Sequence, residues 1–414
     1  MISYFRSLGE SIEKTWLRHS YDEEVFPRLV LEELGRNPPL MSVEVKDIVD
    51  WIFGSSQGFV QPNPRALFGE PPVTLFQAPR FYIEALFWLS GTTAIHEHGF
   101  SGAFSVLAGS SVHSLWQFAP ERTINSRMIC GRLERVSTEI LRPGGARTIC
   151  SGGRLIHQLF HLEVPSVTIV VRTYMEPNHL PQYQYLPPGL AIDPEDSEPV
   201  RKRRLMLIDG MARGQISGLK DYACKLIDSG DLTILYYLFS VLTRRKVDKG
   251  LLGDLYGSAR ERHGDVIDLF RMVCEEERRS RIVTALRAKI SAPDPRFLLA
   301  LLMLMPDRDA IFDAIRLQFP EFEPLPAIEA WLTNMSGKEI IGFDFNNENR
   351  IIFRGLVEGL DEEGLLQRLR VEFKGDSVDE HRDRLIDHAK RLASSDLFFP
   401  LLSKSPLREK ILAA

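Results

Sequence analysis

GTTAIHEHGFSGAFSVLAG, residues 91–109, carries two histidines in a pattern that points to a metal-binding strand. In an extended strand successive side chains face opposite ways, so His96 and His98 share one face and Glu97 points to the other. Gly99 and Gly102 then let the chain turn back. Two imidazoles at this spacing supply two metal ligands, and a third must come from a distant strand. SGGRLIHQLFH, residues 151–161, offers His157, in an apolar run that follows a Gly-Gly turn. Pairing of the two strands would bring all three to a common ion, with ligand bonds of about 2.0–2.1 Å for zinc.

Working outward, the stretch 80–175 is a series of short runs rich in β-branched and aromatic residues. Among them are FYIEALFWL, GAFSVLAG, SVHSLWQF and SVTIVVRTY, separated by Gly, Pro and Ser clusters such as RPGGA at 142–146. Regularly spaced short strands of this kind predict a sandwich or barrel. The first 60 residues have a helical period, with Ser42 as the expected N-cap of a helix through MSVEVKDIVDWIF. Six prolines fall between residues 176 and 204, a density that predicts a strap and linker rather than regular strand. From Leu205 onward apolar residues recur at three- and four-residue steps, as in EGLLQRLRVEF, and FLLALLMLM (297–305) reads as a buried helix. The expected organisation is an α+β multidomain chain. It has an N-terminal helical segment at 1–72 packing on a barrel at 73–180, a proline-rich linker at 181–204 and an α-helical domain at 205–414.

Gly91, His96-x-His98 and Gly109 resemble the first motif of the cupin superfamily, and Gly153 with His157 resembles the second. Within the cupins, Trp88, IHEH, AFSVLAG and RTYMEP look most like cysteine dioxygenase and related thiol dioxygenases. The resemblance implies a jelly-roll barrel and a mononuclear three-histidine Fe(II) centre on His96, His98 and His157, in an enzyme that uses O2. Zinc or another divalent ion stays open, because imidazole suits several metals. The departures are informative. Gly102 and Ala103 stand where most cupins carry a Glu ligand, and Ala103 excludes the cysteine–tyrosine crosslink found in many thiol dioxygenases. That family's Ser-His-Tyr triad would fall on Val170, Arg172 and Tyr174, where only the tyrosine is kept. Tyr174 and Arg172 are therefore the expected catalytic residues, and Arg154, Arg172 and His161 the expected substrate-binding ones. EPPVTLFQAP (70–79) has no arginine to hold a substrate carboxylate, which argues for a small thiol or amino-acid-derived substrate other than free cysteine. His113 is expected to be structural, and His179 exposed on the strap.

Two other functions stay open: a non-catalytic cupin that senses a metal or ligand through its helical domain, and a metal-dependent hydrolase or isomerase. The 414-residue chain has a net charge of −5, without the basic surplus of a nucleic-acid-binding protein. VRKRR (200–204) reads as a solvated linker. The first residues lack the order of a signal peptide, and no apolar run reaches membrane-span length. Four scattered cysteines fit reduced thiols in a cytoplasm. The expected partners are a small molecule and O2, with a homodimer left open. The helical domain is expected to pack over or beside the barrel opening.

Overall fold

The computed structural model describes all residues except 55–67, 90, 175–180, 195–197, 336–343, 374–377, 379 and 414. His179 and part of the strap lie outside the described residues. The chain divides into two compact units, Met1–Arg278 and Arg279–Ala414.

The first unit begins with three helices, α1 (Ile2–Arg18), α2 (Phe26–Arg36) and α3 (Val45–Gly54). The third starts at Val45, so Glu44 precedes it in place of the expected Ser42; the Glu44 N–H donates to Asp47 Oδ2 at 2.8 Å. Nine strands follow: β1 (Pro72–Gln77), β2 (Phe81–Trp88), β3 (Ile95–His98), β4 (Gly102–Ala108), β5 (Ser111–Asn125), β6 (Met128–Leu141), β7 (Ala146–Ile149), β8 (Gly152–His161) and β9 (Ser166–Thr173). Two more, β10 (Gln184–Leu186) and β11 (Leu190–Ile192), complete the set. One five-stranded antiparallel sheet runs β1-β2-β9-β4-β7, and β10-β11-β6-β5-β8-β3 close into a barrel. This is the expected α+β architecture: a closed β-barrel with N-terminal helices and a helical C-terminal region.

The five-stranded sheet is buried on both faces, so its strands read as continuous apolar runs rather than as alternation. Phe81, Ile83, Ala85 and Phe87 of β2, with Val167, Ile169 and Val171 of β9, pack on Phe5, Leu8, Ile12, Trp16 and Phe26 of the helices. The alternate residues Leu86, Trp88, Phe104, Val106 and Val170 form a second cluster with Leu141, Ile149 and Leu159. Gly109 makes the turn after β4 with φ +75, and a Cβ there would sit 2.9 Å from the Ser166 Cα.

The proline-rich stretch corrects the linker expectation at 181–204, since β10 and β11 form a hairpin within it. Pro187, Pro188 and Gly189 are the turn, where a missing N–H costs no ladder bond. The turn carbonyls are themselves used: Pro188 accepts from the Leu133 N–H at 3.0 Å and Gly189 from the Gly131 N–H at 2.8 Å. The basic run belongs to a helix, α4 (Pro199–Ala212), whose first turn is capped by Glu198. Next come α5 (Leu219–Ser229), α6 (Leu232–Arg244), α7 (Lys249–His263) and α8 (Val266–Arg287). Ile208, Ile227, Leu235, Phe239 and Phe270 share one core with Met128, Cys130, Leu190 and Ile192 of the barrel. That shared core is why α4–α7 belong to the same compact unit as the strands.

Among its described residues, the regular elements of the second unit are all helices. Its helices include α9 (Pro293–Leu304), α10 (Arg308–Gln318), α11 (Pro324–Asn334) and α12 (Asn347–Glu358). The FLLALLMLM stretch does form a buried helix, with Phe297 through Leu302 at 0–1% exposure. Among the described residues no helix is long and apolar enough to cross a membrane.

Candidate metal centre

β3 and β8 pair antiparallel, and the register sets His96 directly opposite His157. His98 faces Gly152 across an irregularity in the ladder. One nitrogen from each of His96, His98 and His157 falls in a group whose members all lie within 4.8 Å of one another. All three side chains are buried, at 3–4% exposure. Glu97 points the other way, as strand alternation requires, accepting the Tyr185 hydroxyl at 2.6 Å and the Tyr183 N–H at 3.1 Å.

The protein fixes two of the rings through their Nδ1 atoms. His96 Nδ1 donates to the Ala94 carbonyl at 2.8 Å, which leaves its Nε2 lone pair facing outward. His157 Nδ1 lies 3.0 Å from His113 Nε2. His98 Nδ1 is buried and has no hydrogen-bond partner among the described residues. Burial lowers the pKa of His96 to about 4, with Ala94 opposing the shift and His113 adding to it. Burial also pushes His98 and His157 well below the ordinary imidazole value, helped by the neighbouring histidines. Neutral imidazoles are the form that coordinates metal, so a divalent ion fits this donor set and would be held by His96, His98 and His157.

A fourth protein ligand is sterically barred where cupins place a Glu. A Cβ on Gly102 would lie 2.0 Å from the Val171 carbonyl oxygen and 3.0 Å from the Arg172 Cα, because β9 runs against β4 there. The surroundings are aromatic. Phe100 meets His98 edge-on at 4.7 Å between centroids, Phe68 meets His96 at 5.0 Å, and Phe104 lies 6.2 Å from His157. Phe104, Ile149, Leu159 and Val170 belong to one buried apolar cluster on this side of the sheet. Phe87 and Leu107 have the opposite parity and pack under the N-terminal helices.

The other candidates separate. Arg172 lies beside the site: its guanidinium sits 3.3 Å over the Phe100 ring and 5.3 Å from the Tyr82 ring centre. Nη1 donates to Glu84 at 3.4 Å, while the buried Nε has no partner among the described residues. The Tyr174 hydroxyl turns elsewhere, donating to the Ala78 carbonyl and accepting from Gln77 Nε2, both at 3.0 Å. Arg154 is half-exposed and bound to Glu24 and Ser151. His161 is fully buried, with Nδ1 2.7 Å from Ser111 Oγ and its ring stacked on Trp88. His113, expected to be structural, instead touches a ligand candidate. Only the β5–β8 pairing, which sets Leu115 against His157, brings it there.

Three comparisons with known proteins bear on this chain. No family model matches it, and no curated protein does. Solved structures overlap it in part, among them the following three. A protein from Thermus thermophilus is 18% identical over 28% of this chain and 97% of its own, with a TM-score of 0.19. Hydroquinone 1,2-dioxygenase from Sphingomonas sp. TTNP3 is 11% identical over 29% and 81%, with a TM-score of 0.21. A DMSP lyase structure is 16% identical over 37% and 75%, with a TM-score of 0.22. With likeness this limited, the chemistry is read from the site's own residues.

The histidines give a first expected result. Their depressed pKa values mean that the unfolded metal-free chain binds more protons than the folded one below pH 6.5, so stability falls with acidification toward pH 4. The urea midpoint of the metal-free chain should drop between pH 7 and pH 5, above the main carboxylate range. An unchanged midpoint would show that the imidazoles are not held neutral.

Proposed function

We propose that this chain is a metal-dependent oxygenase of the three-histidine cupin type, acting on a small thiol or amino-acid-derived molecule other than free cysteine. The observation that carries the reading is the convergence of three buried, neutral imidazoles at a place where Gly102 admits no carboxylate ligand. An Fe(II) ion held there would supply the redox chemistry needed to activate O2. The rest falls to the side chains. Phe68, Phe100 and Phe104 keep water from the imidazoles. Arg172, gripped by Phe100, Tyr82 and Glu84, offers its remaining N–H groups to a polar or anionic part of the substrate. Glu84 offsets much of the guanidinium charge, which favours a weakly charged or zwitterionic partner over a simple carboxylate. Tyr174 braces the β1–β2 turn through Ala78, so a direct role in the chemistry would require its hydroxyl to leave that bond.

Metal analysis of the purified chain, followed by oxygen uptake of the Fe(II)-loaded protein against a panel of thiols and amino-acid derivatives, tests the proposal. Uptake with a panel member and slow turnover of free cysteine are expected. Arg172→Gln should raise KM for that substrate by about tenfold or more, the worth of a charge-assisted hydrogen bond. Bound iron with no uptake across the panel would favour a ligand-sensing role, and tight zinc with hydrolysis would favour a hydrolase.

A further inference from the structure

His157 is not held by a backbone carbonyl, as His96 is; its Nδ1 abuts a second histidine. His113 Nε2 lies 3.0 Å from His157 Nδ1, and His113 Nδ1 lies 3.1 Å from Glu139 Oε1. Arg147 closes the series, with Nε donating to Glu139 Oε1 at 2.8 Å and Nη2 donating to Oε2. The four residues come from β8, β5, β6 and β7, so the chain of bonds passes from the barrel into the five-stranded sheet. His113 is 1% exposed, while the Glu139 and Arg147 side chains are 36% and 43% exposed.

The direction of the bonds is set by chemistry. An ionised carboxylate only accepts, and Arg147 occupies both Glu139 oxygens as a donor. His113 must therefore donate from Nδ1 to Glu139 and present the Nε2 lone pair to its neighbour. His157 then carries its proton on Nδ1, and its Nε2 lone pair is the one left for a ligand. A charge at the outer edge of the barrel thus selects the tautomer of a buried ring two residues away along the bonds.

We propose that Glu139 and His113 are positioning residues that hold His157 as its Nδ1–H tautomer, and so hold its Nε2 ready to coordinate a metal. The inference rests on reading His96, His98 and His157 as a metal site. Such outer partners commonly change metal affinity by about 10- to 100-fold. Glu139 is the residue of choice for substitution because its exposure lets it be replaced without opening a cavity; His113→Leu is the second variant.

The experiment uses the full chain labelled with 15N in histidine, first metal-free and then titrated with Co(II). Ring nitrogen spectra, with His157→Gln to assign the signal, should show His157 protonated at Nδ1 in the wild type and a mixture of tautomers in Glu139→Ala. The Co(II) dissociation constant should rise about 10- to 100-fold in Glu139→Ala and in His113→Leu, with Glu139→Asp recovering part of the loss. A His157 tautomer unchanged in both variants overturns the proposal, and so does an altered tautomer with unaltered Co(II) affinity. A wild-type chain that binds no Co(II) overturns the metal reading of the site instead, and the nitrogen spectra then decide the hydrogen-bonded series by themselves.

Discussion

Replacing His98 with alanine should lower metal affinity more than about 100-fold and leave the purified chain nearly metal-free. The expected loss exceeds that for an outer partner because two nitrogens are too few strong donors for an ion with an open side. The fold should tolerate the change comparatively well. Among the described residues nothing hydrogen-bonds His98 Nδ1, so its removal strands no donor or acceptor there, and the truncation leaves a hole beside Phe100. Elemental analysis after dialysis, with circular dichroism to check folding, separates the two effects. Full metal content in a folded His98→Ala chain would dispose of the three-histidine assignment. His96→Ala should behave alike, with a further loss of stability because the Ala94 carbonyl loses its donor.

The second large effect is on stability. Glu84 and Arg172 pair inside the first unit with side-chain exposures of 8% and 16%. Burial pushes Glu84 up and Arg172 down from their ordinary pKa values, and each opposes the other's shift. Removing one member of such a pair leaves a buried charge without its counter-ion, at a cost of about 3 kcal/mol. Glu84→Ala should therefore lower the urea midpoint substantially, whereas Glu84→Ala combined with Arg172→Met should recover most of the loss. If the double variant is as unstable as the single one, the penalty comes from the cavity at Glu84 and the charge argument fails.

The parts of the site that were legible in the sequence are those governed by local geometry. Alternation along four residues placed His96 and His98 together with Glu97 opposed, and an apolar strand after a Gly-Gly turn was enough to nominate His157. The barrel and the helical remainder followed from the change of period near Leu205. Failures occurred where a residue's role depends on a strand that is distant in sequence. His113 becomes a partner of His157 only through the β5–β8 register, and Glu139 reaches His113 only through the β5–β6 register. Arg172 could be placed on the inner face by parity, but not its clamp of Glu84, Phe100 and Tyr82, drawn from two other segments. Tyr174 shows the converse: its place in the resembled family's triad suggested a catalytic phenol, yet its hydroxyl is taken by the β1–β2 turn. The proline count misled because it measured density rather than position. Two prolines and a glycine grouped at a turn interrupt no ladder, and the residues beside them remain able to pair.

That hairpin also orders events during synthesis. β10 pairs with β3, and β11 pairs with β6, so the last-made strands join the two free edges of a sheet whose other members have already left the ribosome. Until Ile192 emerges, the growing chain carries two unpaired strand borders, and the Met128 and Cys130 side chains await helices encoded still later. The histidine-bearing strand is one of those borders. The nascent protein therefore carries His96, His98 and His157 early, but the edge that holds two of them is sealed only once Ile192 has emerged.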